Sequence, residues 1–395
     1  MEKILSAGGI SKNIDERGTF TTHRIASIDA LRGLMMLIML LDHVRGLFYT
    51  SQRLDYPINV DATEPTLFFT RWISHLCAPV FILLTGVATS LYNDKHLSIK
   101  KTRQFLLKRG VFLILIEFLL CNFFFLFYKS YTAQLQVIWA IGASMIILSG
   151  LLFFPRLAQI IIVIFITTLP HLVNQINMSD IVLFREMWVI LYQVPSVLHF
   201  NDTITIDVLY PITPWVGVIY GGYLLGSIFS KNSCPSHRIK MLCFLGTTMI
   251  IVCIILRLFN NFGDPVPWVK FDNIHTVMSF LNFSKYPPSE DFLLITAGIG
   301  LLLLAAIEAI PKKFIAMLSP LIVFGSVPLF FYVLHLYLIL ALYISAEFFW
   351  EGIDKHIGIP SVWFITLVFS LMLYPLCKFF SVLKRTSKKT WMSYL

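Results

Sequence analysis

The sequence predicts an all-α, polytopic integral membrane protein with about ten transmembrane helices. Of its 395 residues, 57% are hydrophobic and only 13% are charged, whereas a soluble domain has about 45–50% and about 25%. The apolar residues recur in blocks of about twenty, the length with which an α-helix crosses about 30 Å of hydrocarbon. We therefore expect one membrane domain over residues 28–384, with cytoplasmic segments at residues 1–27 and 385–395.

The apolar blocks also give the approximate bounds of the predicted spans. In chain order these are Ile28–Tyr49, Leu67–Tyr92, Phe105–Tyr128, Leu135–Phe153, Leu157–Val173, Val208–Phe229, Met241–Phe259, Asp291–Ile310, Leu318–Phe348 and Ser361–Leu383. Residues 181–200 are also largely apolar, but Arg185, Glu186 and Pro195 interrupt them. We therefore expect this stretch to lie on the outer membrane surface as an interfacial helix.

The distribution of basic residues predicts that both termini are cytoplasmic. With the N-terminus inside, the inner segments hold 22 of the 31 Lys and Arg residues and the outer loops hold nine. Cytoplasmic loops of membrane proteins carry this excess of basic residues. The same pattern explains the net charge of +9 without nucleic acid, which is not an expected partner. The expected location is the cytoplasmic (inner) membrane, with the lipid bilayer as partner.

The first span carries the most informative polar residues. Arg32 and His43 are eleven residues apart, so both lie on one helix face with an axial separation of about 16 Å. Asp29 lies three residues before Arg32 and can form an ion pair with it, although an interfacial anchor is the alternative function for this pair. Ionisable groups inside a bilayer are costly and usually mark function.

Two further histidines are predicted at the depth of His43. By the helical rise, His75 in the second span and His335 in the ninth span reach the same layer, somewhat outside the membrane midplane. With Asp42 they form a predicted polar pocket, and because histidine changes charge near neutral pH, acid/base chemistry fits it best. Zinc is an alternative, but no HxxxH or HxxE spacing places two ligands on one helix face. No metal is therefore expected.

A polar segment leads directly into the eighth span. Residues 282–289 (NFSKYPPS) include two prolines that are tolerated before a helix. Lys285 is therefore predicted to lie over the outer mouth of the pocket, with a simple interfacial lysine as the alternative.

These motifs resemble those of membrane acyltransferases. Residues 28–33 (IDALRG), followed by His43, are similar to an arginine/histidine signature that occurs in two related groups. One group O-acylates surface carbohydrates, and the other is typified by heparan-α-glucosaminide N-acetyltransferase and its bacterial relatives. Further motifs favour the second group, and they lie at residues 69–81, 214–217, 282–288 and 325–335. The resemblance thus extends from the first span to the ninth.

The resemblance implies transfer of an acyl group, most simply acetyl, from cytoplasmic acetyl-CoA to an acceptor at the outer face. The acceptor would offer the amine or hydroxyl group of a carbohydrate or amino sugar. Basic residues would hold the phosphates of CoA by charge-assisted hydrogen bonds, and His43 would act as general base, oriented by Asp42 or His335. The expected donor-binding residues are Arg32, Asp29, Arg24, Lys108 and Arg109. The expected acceptor-binding residues are Lys285, Asn282, Tyr286 and Glu64.

One departure from the family pattern leaves the general base open. In the family the catalytic histidine falls in the outer loop after the first span, but residues 50–66 of this chain contain no histidine. A rough alignment brings Glu64 or Pro65 to that place, so the base stays open between His43, His75 and Glu64. The alternative function is a proton-coupled transporter or flippase that uses the intramembrane His and Asp residues as a relay. A homodimer is one option for the assembly.

Overall fold

The computed structural model describes residues 25–49, 58–123, 132–173, 182–192, 196–199, 205–230, 233–260, 262–349, 357–387 and 392. Its α-helices are α1 (Ala26–Phe48), α2 (Pro65–Ser74), α3 (Cys77–His96), α4 (Ile99–Ile116), α5 (Val137–Leu151), α6 (Arg156–Val173), α7 (Val182–Leu191), α8 (Ile212–Leu225), α9 (Pro235–Phe259), α10 (Ile274–Leu281), α11 (Glu290–Glu308), α12 (Ser319–Ser326), α13 (Pro328–Phe349) and α14 (Ile359–Thr386). Three strands are also present: β1 (Thr132–Leu135), β2 (Ser196–His199) and β3 (Thr205–Val208).

The predicted all-α membrane fold is confirmed in its class. Six described helical segments are long and apolar enough to cross a membrane, and they are Pro65–His96, Ile212–Phe229, Pro235–Phe259, Glu290–Glu308, Pro328–Ala346 and Ile359–Thr386. Three shorter apolar helices accompany them, at Val137–Leu151, Arg156–Thr168 and Lys313–Ser326. Helix α1 has 23 residues and a length of about 34 Å, which is enough to cross a membrane. It is not one of these six apolar segments because it carries two acidic and two basic side chains. The protein is a multi-pass membrane protein, and the number of ten spans and their orientation stay predictions.

The predicted second span is divided into α2 and α3. The chain makes a tight turn at His75, whose amide donates to the carbonyl oxygen of Trp72 at 3.0 Å. Pro79 explains this break, because proline lacks the N–H that would bond to the carbonyl of residue 75 and its ring clashes with that carbonyl. The turn places His75 between two helices rather than in the middle of one.

The predicted ninth span is likewise two helices, and the chain reverses between them. Pro328 disfavours the helical conformation of Val327, whose φ is −134°. A Cβ atom on Gly33 of α1 would overlap the backbone of Leu321, and one on Gly325 would overlap the backbone of Asp29. A later residue of α1 is thus paired with an earlier residue of α12, so these helices run in opposite directions. Glycine is required at both positions for this close approach.

Helix α13 then runs in the same direction as α1. The ring of Phe48, at the C-terminal end of α1, contacts the ring of Tyr343 on α13 at 5.8 Å. Earlier on both helices, the rings of His43 and His335 lie 5.0 Å apart. The reversal at Val327 therefore places His335 opposite His43.

A small sheet was not predicted from the sequence. Strand β1 pairs with β3 in parallel and β2 pairs with β3 antiparallel, in the order β1-β3-β2. Residue Val208, predicted as the start of the sixth span, lies at the end of β3 opposite Leu135, and α8 begins only after Pro211. The amides of Leu209 and Tyr210 donate to the carbonyl oxygen of Leu135 at 3.2 and 3.1 Å. The sheet thus fixes the start of α5 beside the start of α8.

Candidate functional site

A cavity of about 390 Å³ lies between α1, α3, α4, α5 and α13 and the segments that precede α8 and α11. Its lining residues on α1 run from Met36 to Leu47, which corresponds to about 16 Å along the helix. Most of the lining is apolar. Its charged side chains are Asp42, Arg45, Arg109 and Lys285, and its other polar side chains include His43, Gln136, Tyr210, Tyr286 and Tyr332.

The charged residues lie at two levels of this cavity. Gln136 marks the level of Lys285, because the amide of Tyr210 donates to the carbonyl oxygen of Leu135 and the ring of Tyr210 contacts that of Tyr286. The backbone amide of Gln136 donates to Glu117 Oε1 at 3.1 Å. Arg109 lies eight residues before Glu117 on the same helix, about 12 Å away along the axis. Arg109 therefore lines the cavity at a second level, away from that of Gln136. Glu117 begins a π-helical turn that extends to Cys121.

Two histidines form a hydrogen-bonded series beside the cavity. His43 Nδ1 and His335 Nε2 are 2.7 Å apart, and His335 Nδ1 is 2.9 Å from the carbonyl oxygen of Phe331. A carbonyl oxygen only accepts, so His335 carries its hydrogen on Nδ1 and its neutral ring accepts at Nε2. His43 must then donate from Nδ1. These bonds assign the tautomer of His43 and leave its Nε2 with a lone pair.

The two histidines have different access to the cavity. His335 is fully buried, whereas His43 is partly exposed and lines the cavity. Since Nδ1 of His43 is bonded to His335, the other edge of its ring is the one that can meet a bound molecule. The arrangement is therefore suited to removing a proton from a substrate at His43 Nε2.

An ion pair lies next to His43. Arg45 donates from Nε and Nη2 to Asp42 Oδ1, at 3.1 and 2.8 Å. Both side chains line the cavity together with Lys285, whose Nζ lies 5.2 Å from the centroid of the Tyr286 ring. This end of the cavity thus carries two cations and one carboxylate, a combination that can bind a polar or anionic molecule.

Buried Arg257 holds the segment that carries Lys285. Its guanidinium donates to the carbonyl oxygens of Phe280 at 3.0 Å, Val266 at 2.8 Å, and Ser279 and Asn282 at 3.1 Å. Such bonds to a charged donor are the strong ones among protein hydrogen bonds. Arg257 therefore fixes the end of α10 and the start of the segment between α10 and α11.

Asp264 completes this anchor. Its carboxylate accepts from the amide of Ser284 at 2.8 Å and from the hydroxyl of Ser289 at 2.5 Å. Asn282, predicted as an acceptor ligand, instead donates from Nδ2 to the carbonyl oxygen of Ile58 at 3.0 Å. Its side chain thus ties this segment to the residues before α2.

Other predicted site residues lie around the cavity rather than in its lining. Arg32 is 3.4 Å from Asp29 and donates from Nη2 to the carbonyl oxygen of Leu84 at 2.9 Å. Leu84 directly precedes Thr85, which lines the cavity. The positive charge of Arg32 also acts on Arg109, so Arg32 lies near the level of Arg109, but the described lining includes Arg109 and not Arg32. The side chain of Lys108 on α4 is exposed and lies outside the described lining. Arg24 lies outside the described residues.

His75 and Glu64 are separated from the described lining as well. His75 is buried, its ring lies 5.5 Å from that of Phe292, and neither of its nitrogens has a hydrogen-bond partner among the described residues. Glu64 is exposed at the N-terminus of α2. Of the three histidines predicted in one layer, the structure brings His43 and His335 together.

Three lining residues received no role from the sequence. Arg45 was counted only as an outer basic residue, although its position three residues after Asp42 could have indicated the ion pair. Tyr332 lies three residues before His335, on the same face of α13, and this spacing was the available signal. Gln136 is placed at the site by the sheet and the π-helical turn, and neither of these was predicted from the sequence. Among the described side chains, no group of three or more His, Cys, Asp and Glu residues could hold a metal ion.

Comparison with known proteins finds one family. Residues 24–257 match the family model described as "Heparan-alpha-glucosaminide N-acetyltransferase, catalytic". A search of curated proteins finds no match. The matched residues include Asp42, His43 and Arg109, whereas Lys285 and His335 follow the matched region in the chain. The cavity therefore combines side chains from both parts.

Proposed function

Because the chain belongs to the heparan-alpha-glucosaminide N-acetyltransferase catalytic family, we propose that this membrane acyltransferase moves an acetyl group from acetyl-CoA to a sugar-like acceptor. The acceptor offers an amine or a hydroxyl group. The observation that carries this proposal is the series from Phe331 through His335 to His43, which leaves a lone pair on His43 Nε2 at a cavity with cations at both levels. Acetyl-CoA is a substrate here, and no metal takes part.

The donor is proposed to bind with its phosphates near Arg109. Arg109 Nε is buried and has no hydrogen-bond partner among the described residues, so a phosphate oxygen would satisfy it. Arg32 and its partner Asp29 lie beside this level and add positive and orienting charge, whereas Lys108 lies outside the described lining and has no role in this proposal. The lining of about 16 Å along α1 suits the extended arm of CoA, which would bring the thioester to His43.

The reaction is a single acyl transfer. The nitrogen or oxygen of the acceptor attacks the thioester carbonyl carbon, and the π electrons of that carbonyl move onto its oxygen. His43 Nε2 takes the proton of the acceptor during the attack. The carbonyl then re-forms as the carbon–sulfur bond breaks, and the sulfur of CoA takes the proton from His43. The products are free CoA and the acetylated acceptor.

His335 and Asp42 support the proton transfer. His335 keeps the Nδ1 hydrogen of His43 in place, and the neighbouring Asp42 carboxylate stabilises the imidazolium that forms. Lys285 and Tyr286 are proposed to contact the acceptor, while Asn282 fixes their segment. Since the basic residues of the loops favour a cytoplasmic N-terminus, the level of Arg109 faces the cytoplasm and the level of Lys285 faces the outer side. His75 and Glu64 are not needed in this scheme.

The proposal can be tested with binding and transfer assays on the purified protein in detergent. Binding of radiolabelled acetyl-CoA and release of free CoA are measured with glucosamine and its N- and O-linked derivatives as acceptors. We expect His43→Ala to abolish transfer while the Kd for acetyl-CoA stays unchanged. Arg109→Ala should raise this Kd by about 10- to 100-fold, because a hydrogen bond to a charged group contributes about 1.5–3 kcal/mol.

Lys108→Ala is the matched control, because it removes an adjacent basic side chain that lies outside the described lining. If both variants weaken binding equally, the phosphates do not bind in the cavity. If acetyl-CoA neither binds nor raises the thermal stability of the wild-type protein, the enzyme proposal fails and the transporter alternative gains support.

A further inference from the structure

We propose that the hydroxyl group of Tyr332 donates the hydrogen bond that stabilises the oxyanion formed when the thioester is attacked. This role rests on the proposed acetyl transfer and adds a catalytic residue to it. Attack on a thioester places negative charge on the former carbonyl oxygen, and a fixed donor in a water-poor site lowers the barrier most when it meets that oxygen. In the proposed transfer His43 acts as the base, and the oxyanion needs a hydrogen-bond donor in addition.

Tyr332 lies where the donor is needed. It lines the cavity together with His43 and is only 3% exposed. Its ring makes T-shaped contacts with the rings of His43 and His335, with an interplanar angle of 73° in both cases. The ring centroids are 6.4 Å apart for His43 and 5.6 Å apart for His335. A thioester that reaches His43 therefore also reaches the surroundings of Tyr332.

The helix holds this tyrosine and the histidine pair as one unit. Tyr332 and His335 are three residues apart on α13, so they share a face. The carbonyl oxygen of Phe331, which directly precedes Tyr332, accepts from the His335 ring at 2.9 Å. A donor on the helix that orients the base keeps a constant position relative to it. Preorganisation of this kind is what makes an oxyanion donor effective.

Other donors in the cavity are engaged differently. Arg45 is held by Asp42 at 2.8 Å, and the rings of Tyr210 and Tyr286 contact each other at 5.5 Å on the segments before α8 and α11. A neutral phenol also suits an apolar lining better than a further cation, because it can donate without burying a charge. Tyr332 keeps its proton throughout. Its hydrogen bond strengthens as charge develops on the carbonyl oxygen and weakens when the carbon–sulfur bond breaks.

The test compares Tyr332→Phe with Tyr337→Phe. Tyr337 is on the same helix, and its hydroxyl donates to the carbonyl oxygen of Leu120 at 2.9 Å, outside the described lining. We expect Tyr332→Phe to lower kcat by about 10²- to 10³-fold, as removal of one oxyanion donor does, while the Kd for acetyl-CoA stays within about threefold. Tyr337→Phe should leave kcat unchanged. An unchanged kcat in Tyr332→Phe overturns the role.

A second measurement separates catalysis from packing. Fluorotyrosine at position 332 has nearly the same shape but is a stronger acid, and only its protonated form donates. The alkaline limb of the kcat profile should therefore move to lower pH, and an unmoved limb overturns the proposal. Wild-type protein that turns over no acetyl-CoA would instead overturn the proposed function, whereas an active wild type with an active Tyr332→Phe variant refutes the role of Tyr332 alone.

Discussion

The hydrogen bond between His43 and His335 makes the proposed base testable through a residue that does not line the cavity. His335→Ala removes the acceptor for His43 Nδ1, which lies 2.7 Å away. The hydrogen of His43 is then free to move to Nε2, and the ring is free to rotate. Both changes take the lone pair away from the acceptor, so we expect kcat to fall although His335 touches no substrate.

The expected magnitude follows from burial of the pair. A buried donor without its partner costs about 1–3 kcal/mol. The free-energy preference for the His43 tautomer with its hydrogen on Nδ1 therefore falls by about that amount. Each 1.4 kcal/mol corresponds to a factor of about ten, which gives a fall in kcat of about 10- to 100-fold. The fall is larger where the wrong tautomer is fully imposed, and it reaches about 10⁴-fold in a hydrolase triad whose geometry stays intact.

A double-mutant cycle supplies the assay. Release of CoA is measured for His43→Ala, for His335→Ala and for the double variant. Since His335 acts only through His43, the double variant should be no slower than His43→Ala alone. Independent effects that multiply would refute the relay.

His96→Ala is the matched control for this cycle. His96 Nδ1 lies 2.9 Å from the carbonyl oxygen of Tyr92, four residues earlier, which is the arrangement that His335 has with Phe331. His96 lies outside the described cavity lining, so its replacement should leave kcat unchanged. A comparable loss of kcat in His96→Ala would point to general destabilisation rather than to the relay.

Three further predictions concern the frame of the site. Arg257→Met should lower the melting temperature strongly, because it removes the hydrogen bonds from one charged donor to four backbone oxygens. Each such bond contributes about 1.5–3 kcal/mol. A melting temperature equal to that of the wild type would contradict the anchoring role of Arg257. Gly33→Ala should destabilise the protein because its Cβ overlaps the backbone of Leu321. Gly46→Ala should be neutral or stabilising by up to about 1 kcal/mol, because its Cβ meets no described atom within 4 Å beyond its chain neighbours and the backbone of its own helix; equal thermal shifts would refute the close contact at Gly33. Asp42→Asn should lower kcat while the Kd for acetyl-CoA stays unchanged, because a neutral amide no longer stabilises the imidazolium of His43; an unchanged kcat would refute this role of Asp42.

Part of this architecture could be predicted from sequence because prolines and apolar blocks act locally. The blocks of about twenty apolar residues gave the class of fold, and Pro79 and Pro328 are local signals for the breaks that divide two predicted spans. The direction of the chain after Val327 depends on glycine contacts between α1 and α12, which no single segment encodes. The small sheet depends in the same way on pairing between distant strands.

The candidate site was predictable only in its residue types. Helical periodicity placed Arg32 and His43 on one face of α1, yet Arg32 turns to Leu84 and the described lining holds Arg109 instead. Depth along the bilayer could group His43, His75 and His335, but it carries no angular information. A buried histidine is therefore easier to identify than its partner.

The chain reversal at Val327 explains how His335, from a distant segment, comes to orient the proposed base His43. Gly33 and Gly325 bring α1 and α12 into backbone contact, and this contact fixes where the chain turns back. Helix α13 then starts at Pro328 and runs alongside α1, so His335 meets His43 with the 2.7 Å separation of a hydrogen bond. A displacement of one helical turn would move it by about 5.4 Å and break that bond. The chemistry at His43 is thus set by helix packing on the far side of the turn, in residues that touch no substrate.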